Sequence, residues 1–225
     1  MVAVKREDLK REALNRRDLF MPGEILNVFQ SGLIRGSAKL PHAPHKRYFY
    51  VEHPSEGWRV YLRSSAFLHE AGARFEKARF IVVKRTDGDE DKKTWEPPKG
   101  QMEGKDGGNL PIKKLLEENI RREVDEEAKI SKILSLQHTG LVLQATEPDY
   151  PANTFFQYHV FQGFAAPAQL KKATEEFAWI KEHPEAFARF KSDRREKDDI
   201  AWYNADKTKL MGKWSPTLVS MYLAN

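Results

Sequence analysis

The stretch that most restricts the fold of this chain is a proline- and glycine-rich segment that leads directly into an amphipathic helix. Residues 95–108 read WEPPKGQMEGKDGG, a composition typical of a loop. Apolar residues then recur with helical spacing after Pro111, a favourable residue for a first helical turn: Ile112, Leu115, Leu116, Ile120 and Val124. The pattern predicts a loop followed by one helix.

Three glutamates share one face of this predicted helix. Glu123, Glu126 and Glu127 stand at positions i, i+3 and i+4, and like charges at that spacing repel. A protein tolerates such a cluster on a solvated face, or places a divalent cation between the carboxylates. Oxygen ligands suit the hard ions Mg²⁺ and Mn²⁺. Gly100, in the preceding loop, lets the backbone approach a ligand closely.

A helix of this composition also has a purely structural interpretation. Arg121 with Asp125, and Arg122 with Glu126, form i,i+4 pairs that are common on solvated helix surfaces. The helix alone favours this interpretation, and the loop before it shifts the balance towards a site.

Together, the loop and the helix resemble the Nudix box, G-x5-E-x7-R-E-U-x-E-E-x-G-U, where U is a bulky aliphatic residue. Residues 122–127 read REVDEE and match without a gap, Ile130 supplies the last aliphatic residue, and Gly100 fits the opening glycine. The approach WEPPKG is similar to that of dinucleoside tetraphosphate hydrolases and mRNA decapping enzymes. The resemblance implies an α+β fold, an α/β/α sandwich with a mixed sheet and a loop–helix–loop box.

Two departures from the family pattern concern the loop and the end of the helix. Arg122 follows Gly100 by 22 positions, eight more than in the pattern, which leaves Asp106, Lys114 and Glu103 as candidates for the place of the first box glutamate. Lys129 stands where the family has glycine, and a left-handed conformation there costs lysine about 1 kcal/mol.

The resemblance also implies roles for the residues of the box. Mg²⁺ or Mn²⁺ would be bound by Glu123, Glu126, Glu127 and the backbone carbonyl of Lys99. Glu126, Glu127 and Arg122 would take part in catalysis, with Arg122 pairing with a carboxylate to hold the loop against the helix.

A carboxylate must also act as the base that activates water. Glu127 is one candidate, and Glu175 and Glu176 are two others because they stand shortly before Trp179, where several family members have a further acidic residue. A solvated loop explains Glu175 and Glu176 equally well.

Composition defines the broad class of protein. The absence of cysteine excludes disulfides, thiolate metal sites and a cysteine nucleophile. No apolar run approaches the ~20 residues that cross a bilayer, and the first 20 residues are too charged for a signal peptide. We therefore expect a soluble cytoplasmic protein without membrane contact, with an N-terminal extension over residues 1–40 and one Nudix-like domain over residues 41–225.

The remaining elements are predicted from local patterns. We expect strands at residues 24–34, 47–52, 58–62, 78–84, 133–144 and 153–164. We expect a surface helix or a partly ordered arm at residues 5–19, further helices at residues 65–72, 184–190 and 216–225, and loops at residues 95–108 and 171–177.

Two functional hypotheses follow. The first is a metal-dependent Nudix hydrolase that cleaves a pyrophosphate bond in a small, anionic, nucleotide-derived diphosphate or polyphosphate, with RNA as a further candidate partner through basic segments such as residues 42–47. The second is a catalytically silent Nudix-fold protein that binds nucleotide or RNA. All three box glutamates are present, which favours the enzyme.

Overall fold

The structure, a computed structural model, describes residues 24–41, 43–86 and 94–225. The helix or arm predicted at residues 5–19 lies outside these residues. Among the described helices, none has the length and apolar character needed to span a membrane.

Nine strands and four α-helices make up the described fold. The strands are β1 (Ile34–Leu40), β2 (Ala43–Glu52), β3 (Arg59–Glu70), β4 (Ile81–Arg85), β5 (Trp95–Glu96), β6 (Lys99–Gln101), β7 (Ser135–Ala145), β8 (Thr154–Ala165) and β9 (Lys197–Trp202). The helices are α1 (Ile112–Ala128), α2 (Pro167–Glu182), α3 (Pro184–Phe187) and α4 (Trp214–Ala224).

The strands form two sheets. The larger one has the order β1-β2-β3-β8-β7, with β6 pairing to β3 beside this path. Strands β3 and β8 run parallel along their whole length, whereas the other pairs of this sheet are antiparallel. The smaller sheet, β5-β4-β9, is antiparallel. A mixed sheet with helices confirms the predicted α+β fold class, and β1 belongs to the sheet although it precedes residue 41.

Helices cover both faces of the central strand β3. Alternate residues of β3, Val60 and Leu62 among them, pack in one core cluster with Leu116 of α1. The residues between them, Tyr61 and Phe67, pack in a second cluster with Tyr222 of α4, among others. Because successive side chains of a strand point to opposite faces, β3 separates two cores.

The helix predicted at residues 65–72 is wrong, because β3 continues through Glu70. A strand buried on both faces does not alternate between polar and apolar residues, so its sequence does not show the period of a strand. Ser64 and Ser65 lie inside this strand and are fully buried. The Ser64 hydroxyl donates to the Leu116 carbonyl at 3.3 Å.

Other local predictions had mixed outcomes. Residues 133–144 and 153–164 correspond to β7 and β8, and residues 216–225 to α4, as predicted. Residues 24–33 form an irregular segment with turns instead of a strand, and the loop predicted at 95–108 contains β5 and β6. The loop predicted at residues 171–177 is part of α2, which buries one apolar stripe: Leu170, Ala173, Phe177 and Ile180.

Candidate functional site

The opening glycine of the box lies directly against the first glutamate of the REVDEE run. Strand β6 holds the loop against β3, with Gly100 opposite Ser64. A Cβ atom built on Gly100 would lie 1.9 Å from Cδ of Glu123. Only glycine leaves room for this carboxylate, so the loop and helix halves of the box meet at this pair.

Arg122 joins the loop to the helix. Its Nη2 lies 2.8 Å from Oε1 of Glu123 and 3.3 Å from Oδ2 of Asp106, and its Nη1 lies 2.8 Å from Oε2 of Glu126. Nη2 also donates to Oδ1 of Asn119 at 2.8 Å. Of the three candidates for the first box glutamate, Asp106 is therefore the one in contact with Arg122.

The other two candidates have different partners. Glu103 pairs with Lys46 and Lys105 at 3.1 and 3.0 Å, and its backbone N–H donates to Oδ2 of Asp106 at 2.7 Å. Lys114 pairs with Glu117 on the surface of α1. The additional residues of the loop include a short 3-10 helix, Gly104–Asp106, that presents Asp106 to Arg122.

Negative charge accumulates around Glu123. Burial raises the pKa of Glu123 to about 8; the Arg122 guanidinium opposes this rise, and the carboxylates of Glu127, Glu126 and Glu196 add to it. Burial also raises the pKa of Glu126. A further cation beside Glu123 would relieve this repulsion.

Glu127 belongs to a buried network of two carboxylates and two ammonium groups. Its Oε1 accepts from Nζ of Lys197 at 2.8 Å, and its Oε2 accepts from the backbone N–H of Lys99 at 2.9 Å. Lys197 also contacts Glu96, whose other oxygen lies 2.7 Å from Nζ of Lys99. Although burial alone would raise the pKa of Glu96, Lys99 and Lys197 lower it to about 2. Burial raises the pKa of Glu127, and the Lys197 ammonium opposes this rise.

Lys129 ends α1 in the left-handed conformation, with φ at 58°, as predicted. Its ammonium donates to the backbone carbonyl of Glu126 and, at 2.7 Å, to that of Arg194. Burial lowers the pKa of Lys129 to about 8, and Arg194 adds to the shift. The lysine thus ties the end of the box helix to the segment that precedes β9, which a glycine could not do.

Glu196 is a site residue that the sequence did not indicate. It follows the short 3-10 helix Ser192–Arg195, and its charge acts on Glu123. The predicted Glu175 and Glu176 lie on α2, where Glu175 is mostly exposed and pairs with Lys171 at 3.7 Å. Within residues 191–197, KSDRREK, Glu196 resembles any solvated charge, so only its position in space distinguishes it.

Three cavities adjoin the box and share Lys99 in their lining. A small one of about 150 Å³ lies among the acidic residues and contains Glu123, Glu126 and Glu196 in its lining. A larger one of about 740 Å³ continues past Glu196 towards Arg85 and Arg195. The third, of about 640 Å³, lies on the other side of Gly100, against Arg63, Glu147 and Tyr158.

The donor chemistry of the small cavity fits a hard divalent cation. Glu123, Glu126 and Glu196 supply only oxygen atoms, and the charges of the first two are shared with a single arginine. Over the described ranges, however, no group of three or more His, Asp or Glu side chains is already arranged as a metal site. The carboxylates of Glu123 and Glu126 instead face Arg122, and that of Glu127 faces Lys197.

Comparison with known proteins gave matches among solved structures. No protein-family model matches the chain, and no curated protein matches it. A Nudix hydrolase from Nitrosomonas europaea is similar at 17% identity and a TM-score of 0.43, over 73% of this chain and 89% of that one. The Nudix domain of Shewanella oneidensis NrtR, solved with ADP ribose, is similar at 11% identity and a TM-score of 0.44, over 76% and 92%.

A third match is a C. elegans Ap4A hydrolase, solved as a binary complex, at 14% identity and a TM-score of 0.40, over 73% of this chain and 96% of that one. At these identities the likeness concerns the fold alone. Two of these three structures are described as Nudix proteins, the family that the sequence of this chain resembles.

Proposed function

We propose that this protein is a metal-dependent Nudix-type hydrolase that cleaves a pyrophosphate bond in a nucleotide-derived diphosphate or polyphosphate. The observation that carries the proposal is the meeting of Gly100 and Glu123 beside the carboxylates of Glu126 and Glu196. This acidic cavity opens next to larger cavities that contain basic side chains. A bound cation would balance the acids, and the basic groups would contact the phosphates.

Each residue of the proposed site has a task that follows from its position. Glu123 and Glu126 would hold Mg²⁺ or Mn²⁺, with Glu196 as a third oxygen donor or as the base. Arg122 keeps both box carboxylates and the loop in place through its bonds to Glu123, Glu126 and Asp106. When bound, the cation would supply charge neutralisation for the phosphates and activation of water.

Two candidates for the base have weaker geometric support than Glu196. Both carboxylate oxygens of Glu127 already accept hydrogen bonds, from Lys197 and from the Lys99 backbone. Glu175 points to solvent beside Lys171. Glu196 lines two of the cavities and carries no ion pair within the described residues, so it is the carboxylate best placed to take a proton from water.

The proposal is tested by turnover with Mg²⁺ or Mn²⁺ across a substrate panel. The panel contains dinucleoside polyphosphates, ADP-ribose, nucleoside triphosphates, capped RNA and diphosphoinositol polyphosphates, with phosphate or nucleotide release as the readout. Glu123→Gln serves as the inactive control, and Glu175→Gln as the matched control outside the site. We expect turnover of one substrate class that Glu123→Gln abolishes and Glu175→Gln retains.

The alternative is a silent Nudix-fold protein that binds nucleotide or RNA. The observation that favours it is the closed network around Glu127, where an internal ammonium already occupies the carboxylate. Absence of turnover across the whole panel, by a chain shown to be folded, would support this alternative and contradict the enzyme.

A further inference from the structure

The charges of the box divide into two groups. Glu96 and Glu127 face Lys99 and Lys197, two negative charges against two positive ones. On the other side, Glu123 and Glu126 share a single guanidinium, which also contacts Asp106. The first group is electrically balanced, whereas the second has an excess of negative charge.

Lys197 lies between its two carboxylates and is almost completely buried with them. Its side chain is 4% exposed, and those of Glu127 and Glu96 are 4% and 2% exposed. The hydroxyl of Ser215 donates to Glu96 at 3.2 Å and completes the hydrogen bonds of that carboxylate. A cation that displaced the ammonium would leave a buried lysine without a counter-charge, which is strongly destabilising.

We propose that Lys197 acts as an internal cation that takes the place of a metal ion at Glu127. Glu127 is then a positioning residue, and the metal is held by the side of the box that contains Glu123 and Glu126. This inference rests on the proposed cation site. It changes one expectation from the Nudix pattern, which made Glu127 a metal ligand.

The geometry supplies a reason for such an arrangement. Glu127 accepts from the Lys99 backbone N–H, so the ion pair with Lys197 joins α1, the loop before Gly100 and β9. A compact ammonium on the chain is always present, whereas a metal ion must be bound from solution. The loop that carries Gly100 would therefore keep its position against Glu123 before any cation binds.

Binding of Mn²⁺ alone to the full chain tests the inference, with free Mn²⁺ followed by electron paramagnetic resonance. The variants are Glu127→Gln, Glu123→Gln and Lys197→Met, with circular dichroism to check folding. Lys181→Met is the matched control, because Lys181 also pairs with an acid on β9, Asp199 at 2.7 Å, but on the surface.

We expect Glu123→Gln to weaken Mn²⁺ binding by about tenfold or more, and Glu127→Gln to change it by less than about threefold. Lys197→Met should bind Mn²⁺ more tightly or take up one more ion, because Glu127 and Glu96 lose their internal partner. Lys181→Met should behave as the wild type.

If Glu127→Gln lowers the affinity for Mn²⁺ by about tenfold or more, the inference is overturned while the proposed function remains intact. This conclusion holds even if the Lys197→Met variant fails to fold. A folded Lys197→Met variant with unchanged or weaker binding would also overturn it. A wild-type chain that binds no Mn²⁺ would contradict the proposed metal site. The same result would overturn the inference as well, unless the Lys197→Met variant binds Mn²⁺.

Discussion

At the scale of single residues, the missing side chain of Gly100 leaves the space that the carboxylate of Glu123 fills. The atoms that a Cβ would meet are the carboxylate atoms at the flexible end of Glu123. A small side chain at residue 100 would therefore move the carboxylate and leave the backbone of the loop nearly unchanged. The glycine is needed for the position of the acid more than for the fold.

Gly100→Ala should consequently separate function from stability. We expect at least a tenfold loss in Mn²⁺ affinity or in kcat/KM, with a change in the free energy of unfolding below about 1 kcal/mol. Gly108→Ala is the control, since its nearest heavy atom would be Leu115 Cδ2 at 4.0 Å. Equal activity of the two variants would contradict the contact between the loop and Glu123.

His159 shows how a buried residue can make stability depend on pH. Its Nε2 lies 3.1 Å from Oε1 of Gln157, and its Nδ1 lies 3.0 Å from Nε2 of His138. The Gly140 N–H donates to the other nitrogen of His138, so His138 donates to His159 through Nε2. Protonation of His159 would remove this acceptor. Burial lowers the pKa of His159 to about 3, and His138 adds to the shift.

Because the folded-state pKa lies below that of a free histidine, the unfolded chain takes up this proton first as the pH falls. The contribution of His159 to stability is therefore constant above about pH 6.5 and is lost progressively from there towards pH 3. Urea unfolding at pH 7 and pH 5 should show a decrease that is roughly 2 kcal/mol larger in the wild type than in His159→Gln. His45→Gln, at an exposed histidine, should keep the wild-type difference.

At the scale of elements, α1 was predictable because its apolar spacing is local information. Leu115, Leu116, Ile120 and Val124 are buried against the larger sheet, as the spacing implied. Only the start of strand β3 was predicted, at residues 58–62; its second half and helix α2 were not recognised. The first is buried on both faces and lacks alternation, and the polar residues of the second concealed a stripe at helical spacing.

The burial of α1 gives a test of this packing. Leu116 is fully buried, so Leu116→Ala should lower the free energy of unfolding by about 2–5 kcal/mol. Leu134, six residues beyond the end of α1, is 63% exposed. Leu134→Ala should therefore change the free energy of unfolding by less than about 0.5 kcal/mol. Denaturant titration of both variants measures the difference, and similar losses would contradict the placement of α1.

At the scale of the whole molecule, the C-terminal helix α4 closes the second core over β3. The ring of Tyr222 stacks on Phe67 with centroids 3.9 Å apart, and its hydroxyl lies 2.7 Å from Nε2 of His69. The other nitrogen of His69 lies 2.9 Å from the Arg79 carbonyl and must donate to it, so Nε2 accepts from Tyr222. One buried hydrogen bond thus links the last helix to the central strand.

Tyr222→Phe should therefore cost about 1–3 kcal/mol of stability, because it leaves the His69 acceptor buried without a partner. Tyr203→Phe is the control: its ring stacks on Phe80 at 4.6 Å, and its hydroxyl makes no hydrogen bond within the described residues. Thermal unfolding would show a lower Tm for Tyr222→Phe and a nearly unchanged one for Tyr203→Phe. A reversed order would contradict the contact with His69.

What the sequence determined by itself is local: the box helix, the glycine before it and several strands follow from spacing and residue type, and the resemblance to the Nudix box adds the left-handed helix end at Lys129. The tertiary structure decided which charges meet. It paired Arg122 with Asp106, brought Glu196 to Glu123, and joined Lys197 to Glu96 across 101 positions of sequence. Local patterns report the period of an element, whereas an ion pair depends on how distant elements pack, so spacing offered Asp106 only as one of three candidates and did not indicate Glu196 or Lys197.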